Sequence, residues 1–210
     1  MLRTKEITTY QFSELSEDAK EKAREWYREV SAHDDWWEFV YEDFTTIAGL
    51  LGISLTTKSV KLMNGKTRLE PAIYFDLGRG RNVDYSGMWS WPKDPITAIA
   101  GHAPQDDVLM DVATRLNTAR TKFIMRFGEA EGSLSATIAK AKVDEFDTGD
   151  MDYDEVPQEL LDEVEEAIDD LGPWLLRQLE QEWEYRNSDV CVDENIEANE
   201  YEFDEDGDRI

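Results

Sequence analysis

Apolar residues return every three or four positions between Phe12 and Val30. Phe12, Leu15, Ala19, Ala23, Trp26 and Val30 fall on one side of a helical projection. Lys20, Lys22, Arg24 and Arg28 interleave with Glu17, Glu21, Glu25 and Glu29 on the other side. Ser13 or Ser16 can cap this segment, and Glu17 and Asp18 place acids in the first turn, where the helix dipole favours them. The pattern predicts a helix over 16–30. Trp37, Val40, Tyr41, Phe44, Ile47 and Leu51 form a second stripe, predicting a helix that Asp34 or Asp35 caps and Gly52 ends. An aromatic stripe of this kind reads as core rather than as a cofactor box.

The period then drops to two. Segments 53–62 and 66–75 flank Asn64-Gly65, the strongest short hairpin signal. A strand, a glycine-rich turn and a second strand fit 73–91, with Pro92 and Pro95 ending the run. Helices follow over 96–103 and 106–127, the latter burying Leu109, Val112, Leu116, Ala119 and Phe123. Residues 134–143 alternate as a strand, and 144–156 reads as an acidic loop. From Pro157 a helix carries Leu160, Leu161, Val164, Ala167, Ile168 and Leu171 to a break at Gly172-Pro173. Further helices are predicted over 174–186 and from Ser188 to Asn199. The N-terminal 1–11 reads as an edge strand, and the tail 201–210 as a strand that frays. The sum is an α+β protein with helices on one face of a small, mostly antiparallel sheet. It reads as a single domain over 1–210, with the acidic loop 144–156 and an acidic, helical C-terminal part over 157–210. Trp26, Trp37, Tyr41, Phe44, Leu116, Leu171, Leu179 and Trp183 are expected to share one core.

Charge changes the picture. The 210 residues carry a net −26, of which 1–105 supply −3 and 106–210 supply −23. The stretch 144–170 holds fourteen Asp and Glu and no Lys or Arg. This argues against direct nucleic-acid binding, because phosphate contacts need bases. It equally suits attraction of a basic partner. The bland alternative is a solvated helix face beside an acidic loop. Aromatics at 11% and seven Trp set the chain apart from a disordered acidic tail. Cys191 is the only cysteine, so no intrachain disulfide forms, which fits a reducing cytosol. The N-terminus has no apolar signal core and no run has the length of a membrane span, so the protein reads as cytoplasmic.

Chemistry-bearing motifs are sparse. Gly78-Arg79-Gly80-Arg81 follows a strand, as a phosphate-binding turn would, but Val83 stands in the third glycine slot and a strand follows. The competing reading is a structural turn that needs positive φ, with Arg79 and Arg81 free to pair with the acidic half. Asp150, Asp152 and Asp154 alternate like the start of a calcium loop, but Glu155 replaces its glycine and Leu161 its closing Glu. Asp204, Asp206 and Asp208 flank Gly207 without a closing Glu. His33, His102 and Cys191 cannot make a zinc site of the usual type, and neither histidine has a catalytic context. No metal, no cofactor and no enzymatic activity are expected.

FSELSEDAKEKAREWYRE and DWWEFVYEDFTTIAGLLGI resemble a widespread group of small phage and prophage proteins often labelled an antitoxin of a toxin–antitoxin stability system. The resemblance resumes at IYFDLGRGRNVDYSGMWSW, at HAPQDDVLMDVATRL and at WLLRQLEQEWEYRNSDVCVDENIEANEYEFDEDG. It leaves out about 128–156, and Gly80-Arg81-Asn82 stands where the group has Gly-Asp-Gly. The label implies a protein-binding or neutralising role in phage–host conflict and brings no catalytic residues.

The leading expectation is a phage-encoded, non-enzymatic inhibitor that mimics nucleic acid. It would occupy a basic, nucleic-acid-binding surface of a host defence protein. Its acidic face would be Asp150, Asp152, Asp154, Glu155, Glu159, Asp162, Glu163 and Glu166, with the C-terminal DEDGD as a second candidate. In the helix, 159, 162, 163 and 166 follow three-and-four spacing and share a face. Two alternatives stand beside it: an antitoxin that neutralises a toxin through apolar and aromatic surface, and a nucleotide or small-molecule binder using Arg79, Gly80 and Arg81.

Overall fold

The computed structural model describes residues 8–62, 64–128, 134–149, 152 and 155–210. The chain is an α+β protein that divides into two compact units, one of residues 1–37 with 180–210 and a larger one of residues 38–179.

In the smaller unit, α1 (Glu17–Ser31) starts where the pattern places it. Ser16 is its N-cap, the hydroxyl accepting the Ala19 N–H at 3.3 Å. Ser188 caps α7 (Asp189–Ala198) the same way through the Cys191 N–H. The two ends of the chain meet here: β1 (Tyr10–Gln11) pairs antiparallel with β10 (Glu202–Phe203). Phe12, Leu15, Ala19, Ala23, Val192, Ile196 and Phe203 form the core, with Trp26 and Tyr201 packed against it. The tail does not fray after β10. Asp204 Oδ1 accepts the N–H groups of Asp206 and Asp208 at 3.0 and 2.9 Å, which folds DEDGD into a turn. Gly207 sits at φ +85°, and a Cβ there would meet the Ala19 carbonyl oxygen at 2.2 Å, so only glycine lets the turn lie on the start of α1.

In the larger unit, β2 (Ile53–Leu55), β7 (Gly87–Ser90), β8 (Ser135–Ala139) and β9 (Lys142–Asp147) form a four-stranded antiparallel sheet in the order β2-β7-β8-β9. The Asn64-Gly65 hairpin is present between β3 (Thr57–Lys61) and β4 (Thr67–Pro71). A second ribbon pairs β5 (Tyr74–Asp76) with β6 (Asn82–Asp84). Helix α2 (Glu38–Leu50) lies against β2, and α5 (Gln158–Asp169) against β9. Helix α4 (Asp107–Phe127) packs on α3 (Pro95–His102) and on α5. Phe44, Trp89, Leu116, Phe123, Leu161 and Ile168 are among its fully buried side chains.

The structure departs from the sequence reading at several further places, and the strands expected over 53–62 and 66–75 are each split between two elements. The strand expected over 134–143 is a hairpin, because Lys140 and Ala141 both adopt positive φ (53° and 59°) and turn the chain into β9. Asp144, Glu145 and Asp147 therefore stand on an edge strand rather than in a loop. The helix break falls at Asp170, two residues before Gly172-Pro173. Pro173 lies in the first turn of α6 (Leu171–Asn187), where its missing N–H costs no intrahelical bond. The single core also divides. Phe44, Leu116, Leu171 and Leu179 are buried in the larger unit, and Tyr41 is half-buried there. Trp26 packs in the core of the smaller one. Trp36, at 5% exposure, takes the buried place expected for Trp37.

Candidate acidic interface

Helix α5 is two-sided. Leu160, Leu161, Val164, Ala167 and Ile168 are buried, which fixes the helix against its neighbours. Glu159, Asp162, Glu165 and Glu166 are exposed on the other side. Twelve residues at 1.5 Å each make it about 18 Å long. Side chains three and four apart lie about 5–6 Å from one another on such a face.

The acids of the 144–170 stretch are not equivalent. Glu163, expected on the open face, is half-buried, and Lys122 Nζ of α4 lies 2.7 Å from its carboxylate. That hydrogen bond is the leading cause that raises the Lys122 pKa. Asp169 accepts the Val143 N–H at 2.9 Å and so ties α5 to β9, while Asp170 pairs with Arg115. Asp162 is steadied by Gln158, whose Nε2 donates to it at 2.8 Å. Exposed carboxylates of the stretch are Asp152 and Glu155 ahead of the helix, Glu159, Asp162, Glu165 and Glu166 on it, and Asp144, Glu145 and Asp147 on β9, where Asp147 accepts the Gly149 N–H at 2.8 Å. Asp150 and Asp154 lie outside the described residues. Glu165 and the β9 acids went unnamed in the sequence reading. Lys142–Asp147 carries little strand signal, because its apolar residues Val143 and Phe146 do not alternate and Asp and Glu are depleted in strands.

The C-terminal acids are engaged differently. Arg24 forks onto Asp193 with Nε and Nη2 at 2.7 and 2.8 Å, a bidentate geometry, and this pairing is the main cause that raises its pKa. Arg28 pairs with Asp189, and Lys22 reaches Asp208 at 2.8 Å. The bases of α1 thus hold α7 and the DEDGD turn in place, while Glu205 and Asp206 of that turn stay exposed. The smaller unit still carries 22 Asp and Glu against 8 Lys and Arg, and the larger 26 against 14. The charge asymmetry between chain halves becomes two acidic units.

At the glycine-rich turn, the Asp76 carboxylate accepts the N–H groups of Gly78 and Gly80 at 2.7 and 3.2 Å. A Cβ at Gly80 would meet Asp76 Oδ2 at 2.7 Å. The glycines are there for that close approach, and the positive φ falls on Arg81 instead (38°). The donors that would cradle a phosphate hold a carboxylate. Arg79 and Arg81 are both exposed.

His102 Nε2 lies 2.7 Å from Asp43 Oδ1 on the surface. Among the described residues no group of three or more His, Cys, Asp or Glu is placed to hold a metal ion, and no helix is long and apolar enough to cross a membrane. Exposed large apolar side chains come from separate elements: Phe39 on α2, Leu69 on β4, Tyr74 on β5, Met88 on β7 and Met125 on α4.

A family model described as "Domain of unknown function (DUF8835)" matches residues 36–189, which takes in the whole larger unit. No curated protein and no solved structure matches the chain.

Proposed function

The chain belongs to the DUF8835 family, and we propose that it is a non-enzymatic, acidic binding protein that docks on a basic, nucleic-acid-binding surface of another protein. The observation that carries this reading is the two-sided build of α5: an exposed row of carboxylates on a helix fixed by five buried side chains. A row of charges about 5–6 Å apart on a rigid helix can stand in for a stretch of phosphates with no backbone ordering at the interface, only the side-chain rotamers being fixed. The length of α5 limits the mimicry. About 18 Å is about half of one duplex turn, so the partner site is a basic groove that grips a short backbone segment. β9, the strand on which α5 packs, carries the further exposed acids Asp144, Glu145 and Asp147.

The setting that goes with this reading, on the phage resemblance described above, is the cytoplasm of an infected cell, with a host defence protein that handles nucleic acid as the partner to look for. The reading is tested by capture from a bacterial lysate on the immobilised protein, followed by elution with a short DNA duplex. The captured protein should be nucleic-acid-binding and should leave the resin as duplex is added. Capture that duplex does not reverse, and that high salt leaves unchanged, would support neutralisation through an apolar surface instead.

A further inference from the structure

The smaller unit contains a cleft of about 430 Å³ built from α1, the end of α6 and α7. That volume lies in the range of small-molecule sites. Its walls carry four aromatic side chains: Tyr27, Trp36, Trp183 and Tyr185. The indoles of Trp36 and Trp183 lie with centroids 5.2 Å apart, tilted by 49°. Three charged groups line the cleft, Glu182, Arg186 and Glu194. Arg186 Nε donates to Glu182 at 2.8 Å, so these two offset each other and the charge of Glu194 is left over. The Tyr185 phenol titrates above its usual range, with Cys191 and Glu194 the leading causes. Asn195 commits its Nδ2 group to Cys191, at 2.7 Å from the carbonyl oxygen and 3.3 Å from Sγ. Its amide oxygen is then the end that can accept from a ligand N–H.

The same unit already seats cations of its own over aromatic rings. The Arg209 guanidinium lies 5.0 Å from the Tyr201 ring and 6.0 Å from that of Trp26. Tyr27 of the cleft wall borders both rings. Aromatic faces attract cations through their quadrupole, and the acidic field of the unit adds to that attraction.

We propose that this cleft binds the ammonium or guanidinium head group of an organic cation. Aromatic rings would surround the apolar part, Glu194 would supply the counter-charge and Asn195 would accept a hydrogen bond. The cleft shares no residue with the α5 face and does not depend on its role.

The test is titration of the full chain, followed by tryptophan fluorescence, with choline, with agmatine and with 3,3-dimethylbutan-1-ol, the uncharged analogue of choline. The two cations should saturate the signal, and the neutral analogue should bind at least about tenfold more weakly. Glu194→Gln, on the exposed side of α7, should weaken both cations several-fold with an unchanged circular dichroism spectrum. Trp183→Leu should do the same, and circular dichroism separates that result from unfolding. Short peptides carrying Arg or trimethyllysine form a further arm. Tighter binding of the peptides assigns the head group to a protein side chain, tighter binding of the free cations to a small molecule, and either result supports the site. Equal affinity for choline and its neutral analogue overturns the proposal, as does a lack of saturation by either cation up to about 10 mM.

Discussion

Single side chains decide most of the stability in the larger unit. Trp89 is fully buried, and its indole N–H donates to the Leu51 carbonyl at 3.1 Å. Trp89→Ala is expected to cost about 3–5 kcal/mol in chemical denaturation, and Trp89→Phe about 1–3 kcal/mol, because Leu51 then keeps a buried carbonyl without its donor. Tyr85 is 1% exposed, and its hydroxyl has no hydrogen-bond partner among the described residues. Burial holds its phenol above the usual range. A raised folded pKa means that stability is complete below the unfolded value of about 10 and falls as pH rises beyond it. Tyr85→Phe should match or exceed wild-type stability at neutral pH, and its advantage should grow above about pH 10. Melting curves across that range check the sign.

Elements with local signals were legible in the sequence, and the pairing of distant elements was not. Ser16, Asp106 and Ser188 announce three helix starts, and each accepts the backbone N–H that a cap requires. Asn64-Gly65 announces its hairpin. The β8–β9 turn has no such mark: Lys140-Ala141 is an uncommon pair at positive φ, held there because the Ala141 N–H donates to the Tyr85 carbonyl. The pairing of β1 with β10 joins opposite ends of the chain and leaves no trace in local periodicity. Docking of the tail gives this element its own prediction. Gly207→Ala should push the turn off Ala19, at a cost above about 1 kcal/mol. Hydrogen exchange should quicken at the Asp204 and Ile210 amides, which bond to Asp208 and Glu202, and stay unchanged in α4. Protection that survives the substitution would show that the tail is held by other contacts.

For the whole molecule, the candidate face was legible in part. Three-and-four spacing places Glu159, Asp162 and Glu166 correctly on the open side of α5. It cannot show that Glu163 leans toward a lysine 41 positions earlier. Nor can it show that Asp193, Asp189 and Asp208 pair with Arg24, Arg28 and Lys22, because those pairs span most of the chain. The α5 and β9 acids are exposed on a protein whose two units are both acidic. The paired Lys122→Gln, Glu163→Gln variant is the internal control there: it removes the ion pair with no change in net charge and should leave partner binding as it was. The most direct measurement compares wild type with the combined Glu159→Gln, Asp162→Asn, Glu165→Gln and Glu166→Gln variant. Affinity for the duplex-displaceable partner is measured at about 50 and about 200 mM salt. The variant should bind at least about tenfold more weakly at the lower salt and lose less affinity between the two conditions. Equal affinity and an equal salt response in the two proteins would contradict the assignment of the α5 carboxylates as the interface.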